Sequence, residues 1–344
     1  VAAVAKAVRL ADIAKEVGVS TVTVSKALSG QKGVSEQMRE RIRKLAEELG
    51  YRQPSAARLE NAIRRSSYQI GVLVEESYLE KYDSFYWQMY QQVSTCALSC
   101  ECFTLMEVVN RRTEELPELP KLLKEQKVHG VIVIGKMPDP FLSLLRESGG
   151  VPMVYLDFTD ESQEADAVIS DSYYGAYYLT NYLLEKGHRK IAYVGTLLAT
   201  GSITDRYFGY VKALLEHGIR PREDWLLSDR DKDSGRIREE LLRLPADMPT
   251  AFFCNCDLTA GMLIQKLREK GYRVPEDIAV AGFDNYIYPG SCDVGITTYE
   301  VNLAGMASQA VSILIGRMEK DPESCKTHVV GGRLVIRDST ENRA

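Results

Sequence analysis

Arg9-Leu-Ala-Asp-Ile-Ala-Lys-Glu-Val-Gly-Val-Ser-Thr-Val-Thr-Val-Ser-Lys-Ala-Leu-Ser-Gly30 is the stretch on which the N-terminal fold turns. Leu10, Ile13, Ala14 and Val17 recur at helical spacing, and Gly18 follows where a residue of positive φ ends a helix. Val19 then supplies an apolar anchor. Ser20 stands where a hydroxyl N-caps a second helix running to about Leu28, with Val24 and Leu28 facing inward and Thr21, Val22, Ser25 and Lys26 facing outward. Further on, Ser35 is placed to cap a third helix through Ile42, Leu45, Ala46 and Leu49, stopped by Gly50. So short a turn between the first two helices predicts a helix-turn-helix.

The outward face of the second helix has the chemistry of a groove reader. Thr21 and Val22 are short enough to let the backbone approach base edges: a hydroxyl donates or accepts, and a valine meets a thymine methyl. Lys26, a turn later, reaches guanine O6 and N7. Ser25 and the hydroxyls of Ser20 and Thr23 suit phosphates or helix caps, which position a module without reading sequence. The alternative is a three-helix interaction module with a solvated polar face.

Charge favours the first reading. Residues 1–65 hold 13 Lys and Arg against 7 Asp and Glu, net +6, whereas the remainder holds 30 against 41, net −11. A basic head on an acidic body points to a polyanion partner for the head alone.

The chain of 344 residues, 45% apolar and 26% charged, is ordinary globular material for two or three domains. No apolar run approaches the ~20 residues that span a bilayer. Residues 1–8 are too short for a signal peptide, so a cytoplasmic location without membrane contact is expected. Seven cysteines, odd in number and mostly within apolar runs, suggest buried free thiols rather than disulfides. No histidine lies near Cys100 and Cys102 or Cys254 and Cys256, and neither pair has zinc-knuckle spacing, so no metal is expected.

Beyond residue 67 short β-rich apolar runs alternate with helical patterns. Strands are expected over 70–74, 102–107, 131–134, 153–156, 191–194, 225–228, 251–254 and 278–283. Helices are expected over 85–98, 116–126, 173–185, 203–216, 234–243, 257–270 and 303–316. Such alternation predicts parallel sheets covered on both faces. About 270 residues exceed one doubly wound sheet, so two α/β lobes with a ligand crevice at the strand ends are expected. There is no Gly-x-Gly-x-x-Gly after the first strand, no phosphate loop, no nucleophile elbow and no metal cluster, so the chain reads as no enzyme and as needing no cofactor.

The opening stretch, with Val34-Ser-Glu and Leu49-Gly-Tyr51, closely resembles the headpiece of the lactose-repressor/galactose-repressor family of bacterial transcription regulators. The resemblance extends through Val168-Ile-Ser-Asp171 with Gly175, residues 187–195, Asp205-Arg206-Tyr-Phe-Gly209, Asn255-Cys-Asp257, residues 271–284 and Ile296-Thr-Thr298. It implies an all-α helix-turn-helix headpiece over residues 8–53, a hinge helix or linker over 54–67, and an α/β periplasmic-binding-protein-like body of two doubly wound lobes over 68–344.

It also implies roles. Thr21, Val22 and Lys26 occupy the family's base-reading positions, the last commonly Arg, which offers a planar fork where Lys26 is a single flexible donor. In the hinge, Leu59 is the candidate for the family's minor-groove wedge, with Ile63 as substitute and Arg58 adding charge; the other reading of this segment is a solvated linker. Arg206 and Asp284 match positions where the family places a ligand-contacting Arg and Asp, and such planar charged groups suit paired hydroxyls. Asn255 and Asp257 come second, Asp257 equally as a helix N-cap, and Phe85, Tyr82 and Asp157 are candidates from the first lobe.

The expected function is a homodimeric repressor whose affinity for double-stranded operator DNA is set by a small-molecule effector, a carbohydrate for preference. Alternatives are a purine or phosphoprotein coregulator on the same fold, or a solute-binding protein without DNA function.

Overall fold

The computed structural model describes residues 9–28, 33–49, 51, 68–79, 84–110, 118–148, 150–232, 235–286, 292–319 and 324–341. The chain divides into two compact units, residues 1–67 and 68–344.

In the first unit, α1 (Leu10–Val17), α2 (Thr21–Leu28) and α3 (Glu36–Glu48) form where their caps and apolar spacing direct. Asp12 accepts the Arg9 N–H at 2.7 Å to close the first turn of α1, and Gly18, at φ 77, ends it. The Ser20 hydroxyl accepts the Thr23 N–H at 3.1 Å and so caps α2. Ile13, Ala14, Val24, Ala27, Ile42 and Ala46 make the core. The inward face of α2 is therefore Val24 and Ala27, with Leu28 only half-buried beside them.

The second unit holds two six-stranded sheets. The first has the order β11-β5-β4-β3-β1-β2, all parallel: β1 (Gln69–Glu75), β2 (Phe103–Val109), β3 (Gly130–Ile134), β4 (Met153–Leu156), β5 (Asp166–Ser170) and β11 (Thr327–Val330). The second has the order β12-β10-β9-β8-β6-β7: β6 (Ile191–Val194), β7 (Leu226–Leu227), β8 (Ala251–Cys254), β9 (Ala279–Asp284), β10 (Thr297–Glu300) and β12 (Arg333–Val335), with only β12 antiparallel. Alternate residues serve opposite layers. On β3, Ile132 and Ile134 join one core cluster while Val131 and Val133 join another, which is how a continuous apolar run is buried on both sides.

The covering helices are α4 (Phe85–Ser99), the single turn α5 (Lys121–Lys124), α6 (Asp139–Ser148), α7 (Ser172–Glu185), α8 (Gly201–Glu216), α9 (Asp257–Glu269) and α10 (Leu303–Met318). The chain passes between lobes three times: from β5 into α7, which packs on β10 and β12; from β10 into α10, which packs on β3, β4 and β5; and from β11 into β12. At the last crossing Gly332 donates its N–H to the Tyr299 hydroxyl at 2.8 Å. A Cβ there would lie 2.0 Å from the Glu300 carbonyl oxygen, so only glycine permits this approach.

Four expectations need correction. Among the described residues of the helix expected over 234–243, an isolated bridge joins Arg230 to Ile237 and the helical structure is the 3-10 turn Glu239–Leu241. Gly235 stands at φ 69 and the Arg238 N–H donates to the Asp229 carbonyl at 2.8 Å, a short-range pairing that outweighs helix propensity. The helix expected over 116–126 shrinks to α5, started by Pro120 and halted as Gln126 turns to φ 51. Helix α6 was not foreseen, and β5, β10, β11 and β12 were not separated as strands. Of the cysteines, Cys102 and Cys254 are buried, but Cys325 is exposed.

Candidate functional site

Helix α2 presents its outward face as the spacing requires. Thr21, Val22, Ser25 and Lys26 are exposed, Val22 at 61%. Ser20 is also exposed, but its oxygen is engaged as the cap and lies 2.9 Å from the Thr23 hydroxyl. Its local role is therefore to start the helix that carries the other four. Arg58, Leu59 and Ile63 lie outside the described residues, as does Tyr82.

In the second unit a cavity of about 980 Å³ opens where both sheets reverse their strand order, at the carboxyl ends of β1, β3, β6 and β8. From the first lobe Glu75, Tyr78, Phe85, Tyr86 and Asp157 line it. Ser84 caps α4 by accepting the Trp87 N–H at 3.1 Å, which fixes Phe85 and Tyr86 at the mouth of the helix. The Tyr86 hydroxyl donates to Asp157 Oδ2 at 3.1 Å, and its ring packs against Tyr78 with centroids 4.4 Å apart. Gly135, at φ 74, makes room for Tyr78, whose ring would lie 2.6 Å from a Cβ at that position.

From the second lobe come Arg206, Arg230, Asn255 and Asp284. Thr200 caps α8 by accepting the Ile203 N–H at 3.2 Å, and Arg206 follows on the buried side of that helix. Its Nη2 lies 3.0 Å from Asp284 Oδ1, its Nη1 donates to the Asn255 carbonyl at 2.6 Å, and its guanidinium stacks 3.9 Å from the Phe283 ring centroid. The Arg206 Nε has no partner among the described residues although it is buried. One guanidinium thus acts on two carboxylates, Asp284 beside it and Asp157 on the first lobe. Burial pushes Asp157 up to about 6, with Arg206 opposing and Asp284 adding to the rise. Burial likewise raises Asp284, against the pull of Arg206 and Arg230. Both acids sit just at strand ends in left-handed backbone, Asp157 at φ 72 and Asp284 at φ 97, a conformation that non-glycine residues hold mainly where the surroundings enforce it.

Asn255 and Asp257 depart from the expected roles. Asn255 lines the cavity, but its side chain donates to the Val194 carbonyl at 3.0 Å and to Asp229 Oδ2 at 2.7 Å, and accepts from Arg230 at 2.8 Å. Its backbone carbonyl is what holds Arg206. Asp257 does not line the cavity: Oδ2 accepts the Tyr286 N–H, just past β9, at 2.9 Å, and Oδ1 occupies the space a side chain at Gly282 of β9 would need. Nor is it the N-cap of α9, since Cys256 holds that position.

Sequence reasoning missed Glu75, Tyr86 and the pair Asp229 and Arg230. An acid ending a strand run and a second aromatic beside Phe85 were available signals for the first two. Asp229 accepts from Arg230, Asn255, Thr259 at 2.8 Å and the Thr196 N–H at 2.9 Å. Burial opposes its charge, yet Arg230 and these donors hold it down at about 2. This network holds Arg230, which bridges Ile237, and Lys232, Arg236 and Arg238 line the same cavity.

Comparison with known proteins agrees with this architecture. Residues 9–54 match the profile described as bacterial regulatory proteins, lacI family, and residues 180–340 match that of the periplasmic binding protein-like domain. The chain is 31% identical over 319 residues to the HTH-type transcriptional repressor PurR of Vibrio atlanticus, covering 91% of this chain and 92% of that one. It is 28% identical to the repressor of the same name from Erwinia tasmaniensis, covering 95% of each. Among solved structures, the complex of the transcriptional regulator CelR with cellobiose aligns at a TM-score of 0.70 and 26% identity, over 96% of this chain and 99% of that one. The lac repressor dimer bound to operator and the anti-inducer ONPF aligns at 0.63 and 23% identity, over 97% and 99%, and shares the fold.

Proposed function

The chain belongs to the lacI family of bacterial regulatory proteins and is a DNA-binding transcriptional repressor, and from that premise we propose that its operator affinity is set by a carbohydrate held in the cleft of the second unit. The observation that carries this reading is the pair of buried Arg206 and partly buried Asp284 opening on a large cavity with aromatic rings on the opposite lobe. A guanidinium and a carboxylate together engage adjacent hydroxyls, one donating and one accepting, while Tyr78, Phe85 and Tyr86 cover C–H surface. The cellobiose found in the CelR structure is a ligand of this class.

In this reading α2 enters the major groove with Thr21, Val22 and Lys26 at base edges, and Ser25 and Ser20 serve phosphates. Two copies pair as a homodimer on a near-palindromic operator in the cytoplasm, and Leu59 wedges into the minor groove with Arg58 beside it. The effector acts because it binds one closure state of the lobes better than the other, which is the only way a ligand shifts such an equilibrium.

A second reading, a purine in the same cleft, draws on Tyr78 and Tyr86, which pack with their rings tilted 32° and offer aromatic faces to a planar ring, with Arg206 and Asp284 on the opposite wall. Thermal-shift screening of the full chain against sugars, sugar phosphates and purines separates the two. A ligand at a hundred times its Kd adds about 2.7 kcal/mol to stability. Stabilisation by a sugar, with a matching change in operator binding by fluorescence anisotropy, supports the first; stabilisation by purines alone replaces it with the second.

A further inference from the structure

The first-lobe wall of the cleft joins aromatic rings to an acid that the Arg206–Asp284 pair leaves short of positive charge. Tyr86 is the centre of the aromatic corner: its ring packs on Tyr78 with centroids 4.4 Å apart, and Phe85 meets it edge-on at 5.4 Å and 85°. Asp157 stands beside it, partly exposed, and lines both the main cavity and a side arm of about 110 Å³. Its Oδ2 accepts the Tyr86 hydroxyl at 3.1 Å, whereas Oδ1 accepts no hydrogen bond among the described residues. Among those residues the charged groups that act on Asp157 are Arg206 and Asp284. Arg206 carries one positive charge for these two carboxylates, its Nη2 lies 3.0 Å from Asp284, and Asp205, next to it on α8, draws on the same guanidinium. The other cations that line the cavity are engaged or stand in solvent: Arg230 is paired with Asp229 at 2.7 Å, Lys136 lies 3.9 Å from Asp139 and Arg238 3.8 Å from Glu240, while Lys232 and Arg236 are exposed. Around Arg206 the cleft therefore holds more carboxylate than guanidinium charge, and three aromatic rings stand beside it.

We propose that this corner is a subsite for an ammonium group, so that the effector is an amino sugar with its hydroxyls at Arg206 and Asp284 and its ammonium at Asp157, beside the rings of Tyr78, Phe85 and Tyr86. The inference rests on the carbohydrate reading of the cleft and deepens it. A cation at Oδ1 supplies the missing charge and a charge-assisted hydrogen bond, and an aromatic face within about 6 Å attracts the same cation through its ring quadrupole. Burial and Asp284 push Asp157 up to about 6 against the pull of Arg206, as befits a carboxylate whose surroundings disfavour its charge. An anionic substituent at this corner would meet the like charges of Asp157 and Asp284, and a neutral one would leave Asp157 as it stands.

The test is calorimetry on the full chain at neutral pH with common aldoses and disaccharides in matched triples: the neutral sugar, its amino-deoxy counterpart, and that amine N-acetylated. One amine is expected to bind about tenfold or more tighter than its neutral parent, and N-acetylation, which removes the charge and keeps the substituent, is expected to erase the gain. Asp157→Asn keeps an oxygen for the Tyr86 hydroxyl and a residue type that tolerates left-handed backbone. It is expected to bring the ratio of amine to neutral affinity down to about one. Because that ratio compares two ligands on one protein, a change in folding moves both alike. In the parent chain the ratio is expected to shrink at roughly pH 5, where Asp157 takes up its proton beside Arg206 and Asp284. A neutral sugar binding as tightly as its amine overturns the subsite alone, as does a preference that survives N-acetylation or Asp157→Asn. Failure of every sugar to bind overturns the carbohydrate reading and the subsite with it.

Discussion

Arg206 and Asp284, 78 positions apart, meet in the second lobe with Nη2 3.0 Å from Oδ1, Arg206 buried and Asp284 partly buried at the wall of the cleft. Neither charge is tolerable there alone: the guanidinium keeps the acid ionisable, and the acid, the Asn255 carbonyl and the Phe283 ring compensate the guanidinium for lost water.

Removing one member should therefore show twice. Arg206→Ala is expected to abolish effector binding in calorimetry and to lower stability by about 3–5 kcal/mol in urea unfolding, since it strands a buried carboxylate. Operator affinity without effector should stay largely intact. Retained ligand binding by both Arg206→Ala and Asp284→Ala would remove these residues from the site.

Asp157 gives a pH signature. Its folded value, about 6, stands above the ordinary 3.8, so between roughly pH 4 and 6 the folded chain binds more protons than the unfolded one. The contribution of this group to stability is complete below pH 4 and is lost as pH rises through about 6. Asp157→Asn should remove that decline. Urea unfolding of parent and variant across pH 4 to 7 measures it, and parallel curves would show that Asp157 titrates ordinarily.

For the headpiece, Lys26→Ala is expected to relax base preference at one operator position by about 1–3 kcal/mol, with less effect on non-specific binding. Competition between operator variants reads this directly. Unchanged selectivity would exclude Lys26 from base reading.

The Ser20 cap predicts a smaller, local effect. Ser20→Ala should destabilise α2 by about 1 kcal/mol, seen as faster amide hydrogen exchange over residues 21–28 in the full chain. Exchange as slow as in the parent would mean the cap contributes nothing.

Where α7 and α8 cross, Gly209 permits contact that no side chain allows: a Cβ would lie 2.0 Å from the Tyr173 carbonyl oxygen. Gly209→Ala is expected to cost about 1–3 kcal/mol by forcing the helices apart. Because Arg206 lies on α8 less than one turn away, ligand affinity should fall as well. A thermal melt and a calorimetric titration of the variant check both.

The amino-acid order by itself determined the three head helices, because caps, Gly18 and apolar spacing are local signals acting within a few residues. It likewise determined the parallel two-lobed body, because runs buried on both faces must alternate with covering helices. Arg206 and Asp284 stood out through the family resemblance, and Asp157 and Phe85 as first-lobe candidates; the cavity is lined by all four. What only the tertiary structure decided is which groups face one another and which face inward. Asn255 and Asp257 stand two residues apart after the same strand, yet one side chain is held by Asp229 and Arg230 and the other is turned onto Gly282. Asp229, next to the Arg230 that bridges Ile237, is held by Asn255, Thr259 and Thr196, none of them nearby in sequence. Local pattern encodes periodicity, but the direction of a polar side chain at an element end is set by partners that only folding brings within hydrogen-bond distance.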